Sequence, residues 1–184
     1  MVNRIEIRWH GRGGQGAVTA ATVLAEAAVM DGLYAQAFPE FGAERRGAPV
    51  KAYNRIGKSP IRTRSPIRTP DVVVVLDTSL SPTVYLPGLK DKGYLVVNTR
   101  LNPLEFKSKI GVKASVAAVN ATKIALDVLG VPIVNMAMLG ALLRVTGVVS
   151  MENIEKAVLE TFGGRIGELN VEAVRRAFNL VEVT

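Results

Sequence analysis

The sequence predicts an α/β protein, a three-layer α/β/α domain around a mixed, mostly parallel sheet, with residues 1–184 forming one domain. Three observations carry this expectation. An alternating stretch, Arg4–Trp9, runs through a glycine-rich turn into an alanine-rich segment. Two β-branched runs, Asp71–Leu76 and Tyr94–Asn98, have the continuous apolar character of strands covered on both faces. The last third of the chain repeats its apolar residues at helical spacing.

Taken in order, Ile5, Ile7 and Trp9 fall on one face of a first strand. After the turn Gly11-Arg12-Gly13-Gly14-Gln15-Gly16, residues Val18, Ala21, Thr22, Ala25 and Val29 recur as a helix that Gly32 stops. Leu33–Phe38 reads as a second strand ended by Pro39. A loop dense in charge, glycine and proline follows over residues 39–50. Val50–Ile56 is the next strand, with Gly57-Lys58 as its turn. Ser59-Pro-Ile-Arg-Thr63 then recurs as Ser65-Pro-Ile-Arg-Thr69. Because proline disfavours central strands, this pair is expected to form an edge ribbon with an exposed basic face.

Beyond Asp71–Leu76 come Asp77-Thr78-Ser79, a short helix with its exit near Lys90–Gly93, and the strand Tyr94–Asn98. Val112–Val116 is expected to be a further strand. Asn120 or Thr122 can cap a helix that reaches Leu129 and ends at Gly130. Ala137–Val145 is apolar on nearly every side and is expected to be buried. Ser150 opens a helix through Phe162, and Asn170 opens another with Ala173, Val174, Ala177 and Phe178 on one face.

Composition narrows the function. The chain has 184 residues, 48% of them hydrophobic, enough to bury a core without staples. It contains no cysteine, so it has no disulfide, no Cys-ligated zinc and no iron–sulfur cluster of its own. The single His10 cannot alone build a metal site. Arg4, Glu6 and Arg8 interrupt the first apolar run, which excludes a secretory pattern there. Val131–Leu143 is too short to span a bilayer. A cytoplasmic protein that engages no membrane is expected.

The formal charge of +7 points to an anionic partner. Arg45, Arg46, Lys51, Arg55, Lys58, Arg62, Arg64 and Arg68 follow one another with no acid among them. Tyr53 is the one aromatic residue in that stretch, and no nucleic-acid motif accompanies it, so nucleic acid is not the expected partner.

Gly11, Gly13 and Gly16 satisfy the dinucleotide spacing in the right strand–turn–helix context. Glycines there let backbone N–H groups approach an anion at a helix start. A dinucleotide site also needs a carboxylate at the end of the second strand. Here that strand ends in Ala37-Phe38-Pro39, with Glu40 beyond it and Asp31 before it. The turn also lacks the Lys-Ser/Thr pair of a P-loop. Arg12 can bind a phosphate or carboxylate or meet a partner subunit, and Gln15 can reach a carbonyl or amide edge. A tight turn with nothing bound is the alternative for both.

Glu44-Arg45-Arg46-Gly47 is the second constellation, expected near the glycine turn at the carboxyl edge of the sheet. Its arginines suit an anion or an acidic protein surface, or are simply solvated. Asp77 ends a buried strand but has no catalytic partner in the sequence. No nucleophile–base pair stands out, so the chain is not expected to hold a complete catalytic site.

HGRGGQGAVTAA (residues 10–21) together with FPEFGAERRGAPV (residues 38–50) resembles the γ subunit of 2-oxoacid:ferredoxin oxidoreductases, the pyruvate and 2-ketoisovalerate enzymes. Val72–Asp77, Asn120–Ala125 and Asn135–Ala141 agree, and the similarity covers nearly the whole chain. The resemblance implies a non-catalytic subunit of an enzyme that oxidatively decarboxylates pyruvate or a branched 2-oxoacid to acyl-coenzyme A, with electrons passed to ferredoxin. It implies that thiamine diphosphate, Mg and [4Fe–4S] clusters sit in partner α, β and δ subunits. This chain would contribute to assembly and to the coenzyme A site. Gly13, Gly14, Gln15 and Gly16 match the family's glycine turn, and Glu44, Arg45 and Gly47 its second signature. Arg46-Gly47-Ala48 is a mild departure where relatives often carry Gly-Gly. The competing expectation is a free-standing nucleotide-binding oxidoreductase that uses the Gly11–Gly16 turn.

Overall fold

A computed structural model describes residues 4–40 and 47–184. Seven strands form one sheet in the order β2-β3-β1-β4-β5-β6-β7. They are β1 (Arg4–Arg12), β2 (Tyr34–Pro39), β3 (Pro49–Gly57), β4 (Val72–Val75), β5 (Tyr94–Asn98), β6 (Ser115–Val119) and β7 (Glu182–Val183). Strand β1 pairs parallel with β4, β4 with β5 and β5 with β6, whereas β3 runs antiparallel to both β1 and β2, and β7 to β6. Five strands therefore point one way and β3 and β7 the other, so the sheet is mixed and mostly parallel as expected.

The helices are α1 (Ala17–Met30), α2 (Pro82–Tyr85), α3 (Pro103–Ile110), α4 (Ala121–Leu129), α5 (Asn135–Thr146), α6 (Met151–Phe162) and α7 (Gly164–Leu180). Helices α1 and α4–α7 cover one face of the sheet, where Ile7, Trp9, Ile56, Val72 and Val74 meet Leu24, Met138, Leu139 and Leu142. Helix α5 is buried along its whole first three turns, as its all-round apolar sequence requires. It lies close enough to α7 that a Cβ on Gly140 would run into the Val174 carbonyl. On the opposite face a smaller core joins Val73, Val75, Leu95, Val97 and Val116 to Tyr85 of α2 and Phe106 of α3. Among the described residues no helix is long and apolar enough to cross a membrane.

One buried polar group ties the first core together. Asn54 of β3 accepts from the Trp9 indole N–H at 2.8 Å and donates to the Ala21 carbonyl at 2.8 Å. That links two strands and a helix through one satisfied amide.

Several elements differ from the sequence expectation. The repeated Ser-Pro-Ile-Arg-Thr segment is not a strand; residues 58–71 form an irregular strap. Pro60, Pro66 and Pro70 have no N–H for a ladder, and side chains from the sheet bind the strap's carbonyls instead. The strand expected at Val112–Val116 is β6, shifted to Ser115–Val119. Helix α7 begins at Gly164, ahead of Asn170, because Gly163 and Gly164 hide its start behind residues of poor helix propensity. Helix α3 was not anticipated, although Asn102 and Glu105 form a reciprocal capping box at its start.

Candidate functional site

The glycine turn lies where the strand order reverses, between the carboxyl ends of β1 and β4. From β1 the chain leaves through α1 toward β2 on one side, while β4 stands on the other. Crevices at such points are the usual ligand sites of open α/β sheets.

Arg12 and Gln15 both turn onto Asp77. The Arg12 guanidinium donates from Nε to Asp77 Oδ2 at 3.0 Å, from Nη2 to Ser79 Oγ at 2.9 Å and from Nη1 to the Gly47 carbonyl at 3.2 Å. Gln15 donates to the same Asp77 oxygen at 3.1 Å and accepts from the Arg12 backbone N–H at 2.7 Å. Burial pushes the Asp77 carboxyl up, but hydrogen bonds from Ser79 and Gln15 and the Arg12 charge outweigh it, so its pKa is lowered. The unpaired carboxylate of the sequence thus acquires its partners only through the fold.

Gly13 joins the far side of the turn to the end of the following loop. Its N–H donates to the Ala48 carbonyl at 2.8 Å, and the Gly47 N–H donates back to the Gly13 carbonyl at 3.3 Å. The structure therefore brings Gly47 to the glycine turn, as expected of the second signature. Glu44, Arg45 and Arg46 lie outside the described residues.

Gly14 and Gly16 have φ of 93° and 79°. A side chain at Gly16 would collide with Asn135, whose amide donates to the Gly16 carbonyl at 3.3 Å. A Cβ at Gly14 would meet open space. Gly16 is thus needed for packing, while Gly14 leaves its backbone open to the outside. No side chain caps α1. Its first N–H groups face a cleft of about 700 Å³ whose lining includes Arg12, Gly13, Gly14, Ala17, Lys51 and one carboxylate, Glu40. Unspent N–H groups at a helix start and two cations make this cleft attractive to a phosphate.

In the wall of the cleft, Glu40 accepts from Lys51 Nζ at 3.1 Å and from the Tyr53 hydroxyl. Burial and then the Glu40 bond raise the Tyr53 pKa. His10 is buried at 1% exposure, and its Nε2 accepts from Arg8 Nε at 2.9 Å. Burial first, then the charges of Arg8 and Lys51, push its pKa down to about 3. A histidine held neutral in this way is a structural acceptor.

Sequence reasoning missed Lys51, Ser79 and Asn135 as parts of this site. Asn135 had a usable signal, since a polar residue opening an all-apolar helix needs a partner. Lys51 belongs to the basic run that points to an anion, but nothing local places it at the turn, and Ser79 carries no signal of its own. The geometry also bears on the dinucleotide alternative. Antiparallel β3 stands between β1 and β2, so β2 is not the strand next to the turn, and Glu40, although it lines the cleft, is engaged by Lys51 and Tyr53. A free-standing dinucleotide site is not supported.

Residues 6–180 match the family model described as pyruvate ferredoxin/flavodoxin oxidoreductase. A protein of Pyrococcus furiosus named pyruvate/ketoisovalerate oxidoreductases common subunit gamma is 54% identical over 97% of this chain and 98% of its own. Pyruvate synthase subunit PorC of Methanocaldococcus jannaschii is 53% identical over 95% and 96%. Among solved structures, the pyruvate oxidoreductase subunit PORC of Thermotoga maritima superposes with a TM-score of 0.88 at 44% identity, covering 99% of each chain. The turn at Gly11–Gly16 and the sheet that presents it are those of the pyruvate ferredoxin/flavodoxin oxidoreductase family, to which the chain belongs as a γ-type subunit.

Proposed function

We propose that this chain is the γ subunit of a multisubunit 2-oxoacid:ferredoxin oxidoreductase. That enzyme converts pyruvate, or a branched 2-oxoacid, and coenzyme A into acyl-coenzyme A and carbon dioxide. The two electrons released pass to ferredoxin. The end-to-end likeness to γ subunits carries this reading.

The donor inventory of the chain agrees with a supporting role. A [4Fe–4S] cluster needs cysteine thiolates, and the sequence has none. Among the described residues no group of three His, Asp or Glu could hold a metal ion such as the Mg of thiamine diphosphate. The cluster does not fit this chain; in the proposal it, thiamine diphosphate and Mg belong to companion α, β and δ subunits in the cytoplasm. Bound there, thiamine diphosphate would supply the electron sink for decarboxylation.

The part assigned to this chain is assembly and one wall of the coenzyme A site. Coenzyme A carries a diphosphate and a 3′-phosphate, and the cleft over Gly14 and the uncapped start of α1 offers backbone N–H groups with Lys51 beside them. Arg12 holds the turn through Asp77 and lends part of its charge to the cleft. Arg45 and Arg46 supply further charge from the second signature, with Glu44 and Gly47 flanking them in sequence.

Anaerobic affinity capture of the tagged chain from its native cells, followed by native mass and thiamine and iron analysis, tests this reading. Companion subunits with bound thiamine and iron are expected; a lone monomer or homodimer with neither would overturn it. For coenzyme A, Lys51→Ala and Arg45→Ala in the assembled enzyme should each raise the KM for coenzyme A roughly tenfold, as loss of a charged hydrogen bond implies. Unchanged KM in both variants, with intact assembly, would remove coenzyme A from this cleft.

A further inference from the structure

The two halves of the sheet are covered differently on the face opposite α1. Over β4, β5 and β6 lie α2 and α3, with an apolar core beneath them. Over β3 and β2 the described residues place no helix, and over β1 only the end of α2 approaches, at Tyr85. That half presents Glu6, Arg8, Lys51, Tyr53 and Arg55 in cross-strand register, and the strap of residues 58–71 crosses it.

The strap is held from beneath at alternate carbonyls. Gln36 Nε2 donates to Ile61 O at 2.9 Å, and Arg55 donates to Thr63 O at 3.2 Å and Ser65 O at 2.6 Å. Arg8 donates to Ile67 O at 3.4 Å, and from the same guanidinium to Tyr85 O at 2.9 Å and Pro87 O at 2.6 Å. Odd-numbered carbonyls thus point into the sheet along an extended chain, as the period of two requires. Arg8 and Arg55 are 6% and 2% exposed, so two buried cations are committed to fixing an exposed loop.

On the outer side Lys58, Arg62, Arg64 and Arg68 are all exposed, and none pairs with a carboxylate among the described residues. Asp71, the one acid of the strap, is engaged by Lys90 and by the Glu6 N–H. Clustering four like charges on a rigid backbone is unfavourable alone and becomes favourable against an acidic surface. Because the backbone is already ordered, binding costs less conformational entropy than ordering a free loop would. The strap has no aromatic residue to stack on bases, which favours a protein partner over a single-stranded nucleic acid.

We infer that the strap of residues 58–71 is a preformed docking element for an acidic face of a companion polypeptide in the assembled enzyme. The inference rests on the multisubunit reading above. Its test compares the wild-type chain with the double variant Arg62→Glu/Arg64→Glu and a control, Lys109→Glu/Lys156→Glu, whose exposed lysines lie on α3 and α6. Each is mixed with the purified companion subunits, and affinity is read by native mass and sedimentation between about 0.05 and 0.5 M salt. Circular dichroism and thermal melts check that each variant is folded.

The strap variant should bind at least about tenfold more weakly, with the control unchanged and wild-type binding falling as salt rises. Equal assembly by the folded strap variant and wild type overturns the inference and leaves the γ-subunit reading intact. Absence of assembly by the wild type overturns both. Salt-dependent binding of the wild type to an RNA or DNA oligomer, lost in the strap variant while assembly persists, assigns the strap to nucleic acid and overturns the docking proposal.

Discussion

Arg12 and Asp77 meet at 3.0 Å across the carboxyl ends of β1 and β4, sixty-five residues apart in the chain. Gln15 completes the arrangement by bonding the Asp77 carboxylate with its amide N–H and the Arg12 N–H with its amide oxygen. The turn is therefore clamped from the neighbouring strand, and its shape depends on one carboxylate.

Replacing that carboxylate should loosen the turn. Asp77→Asn removes the ion pair and weakens bonds from Arg12, Gln15 and Ser79, for a loss of about 1–3 kcal/mol in urea unfolding at neutral pH. The Asp77 pKa is lowered in the fold, so its stabilisation is complete above the unfolded-state value and disappears as pH falls through the folded one. The difference between wild type and variant should accordingly close in strong acid. A constant difference across the acid range would argue against the clamp.

His10 gives a second and separable pH dependence. Its folded pKa of about 3 lies far below the unfolded value, so at pH 7 the folded state is neutral, the unfolded state is mostly neutral, and the group contributes little. As pH falls from about 6.5 the unfolded state gains the proton and the folded state does not, costing up to about 1.4 kcal/mol per pH unit. His10→Gln, which retains an acceptor for Arg8, should flatten the stability profile between about pH 6 and pH 4. A profile as steep as wild type in that window would show that His10 is not held neutral.

Arg8 serves as the hub of the strap. Arg8→Met would leave the carbonyls of Ile67, Tyr85 and Pro87 without this donor. Each stranded buried acceptor costs roughly 1–3 kcal/mol, so a total loss of about 3 kcal/mol or more is expected. Trypsin should also cut faster at Arg62 and Arg64 in the variant than in wild type under native conditions. Unchanged cleavage in a folded variant would mean that Arg8 does not restrain the strap.

Gly140 tests packing against intrinsic propensity. In an isolated helix Gly→Ala is favourable by about 1 kcal/mol. Here the new methyl would collide with the Val174 carbonyl of α7, backbone that cannot rotate away. Gly140→Ala should therefore lose roughly 2 kcal/mol or more. Gly14→Ala, where a methyl meets open space at positive φ, should lose only about 1–2 kcal/mol and remain folded. Thermal melts of the two variants give the comparison.

Much of the fold was legible because local patterns carried it. Alternation marked β1, β-branched runs marked β4 and β5, and caps at Asn120 and Ser150 marked α4 and α6. The prolines of the strap rule out a central strand but do not tell an edge strand from an irregular segment, and here its carbonyls are satisfied by side chains of Arg8, Arg55 and Gln36. Those donors lie at sequence separations of 59, 8 to 10, and 25 residues. Only the Arg55 contacts fall within a local window; those of Arg8 and Gln36 do not. The capping box at Asn102 and Glu105 is itself a local signal, so the start of α3 is legible in the sequence.

The sequence alone determined the turn, its helix, the absence of thiolate ligands and the surplus of cations, because each is a property of residue types and short spacing. Tertiary structure decided which charges remain available. Arg12 is drawn onto Asp77, Arg8 and Arg55 are buried under the strap, and Arg62, Arg64 and Arg68 stay exposed. The physical reason is that a charge's role depends on the groups within a few ångströms of it, and in this fold those groups come from strands far apart in the chain.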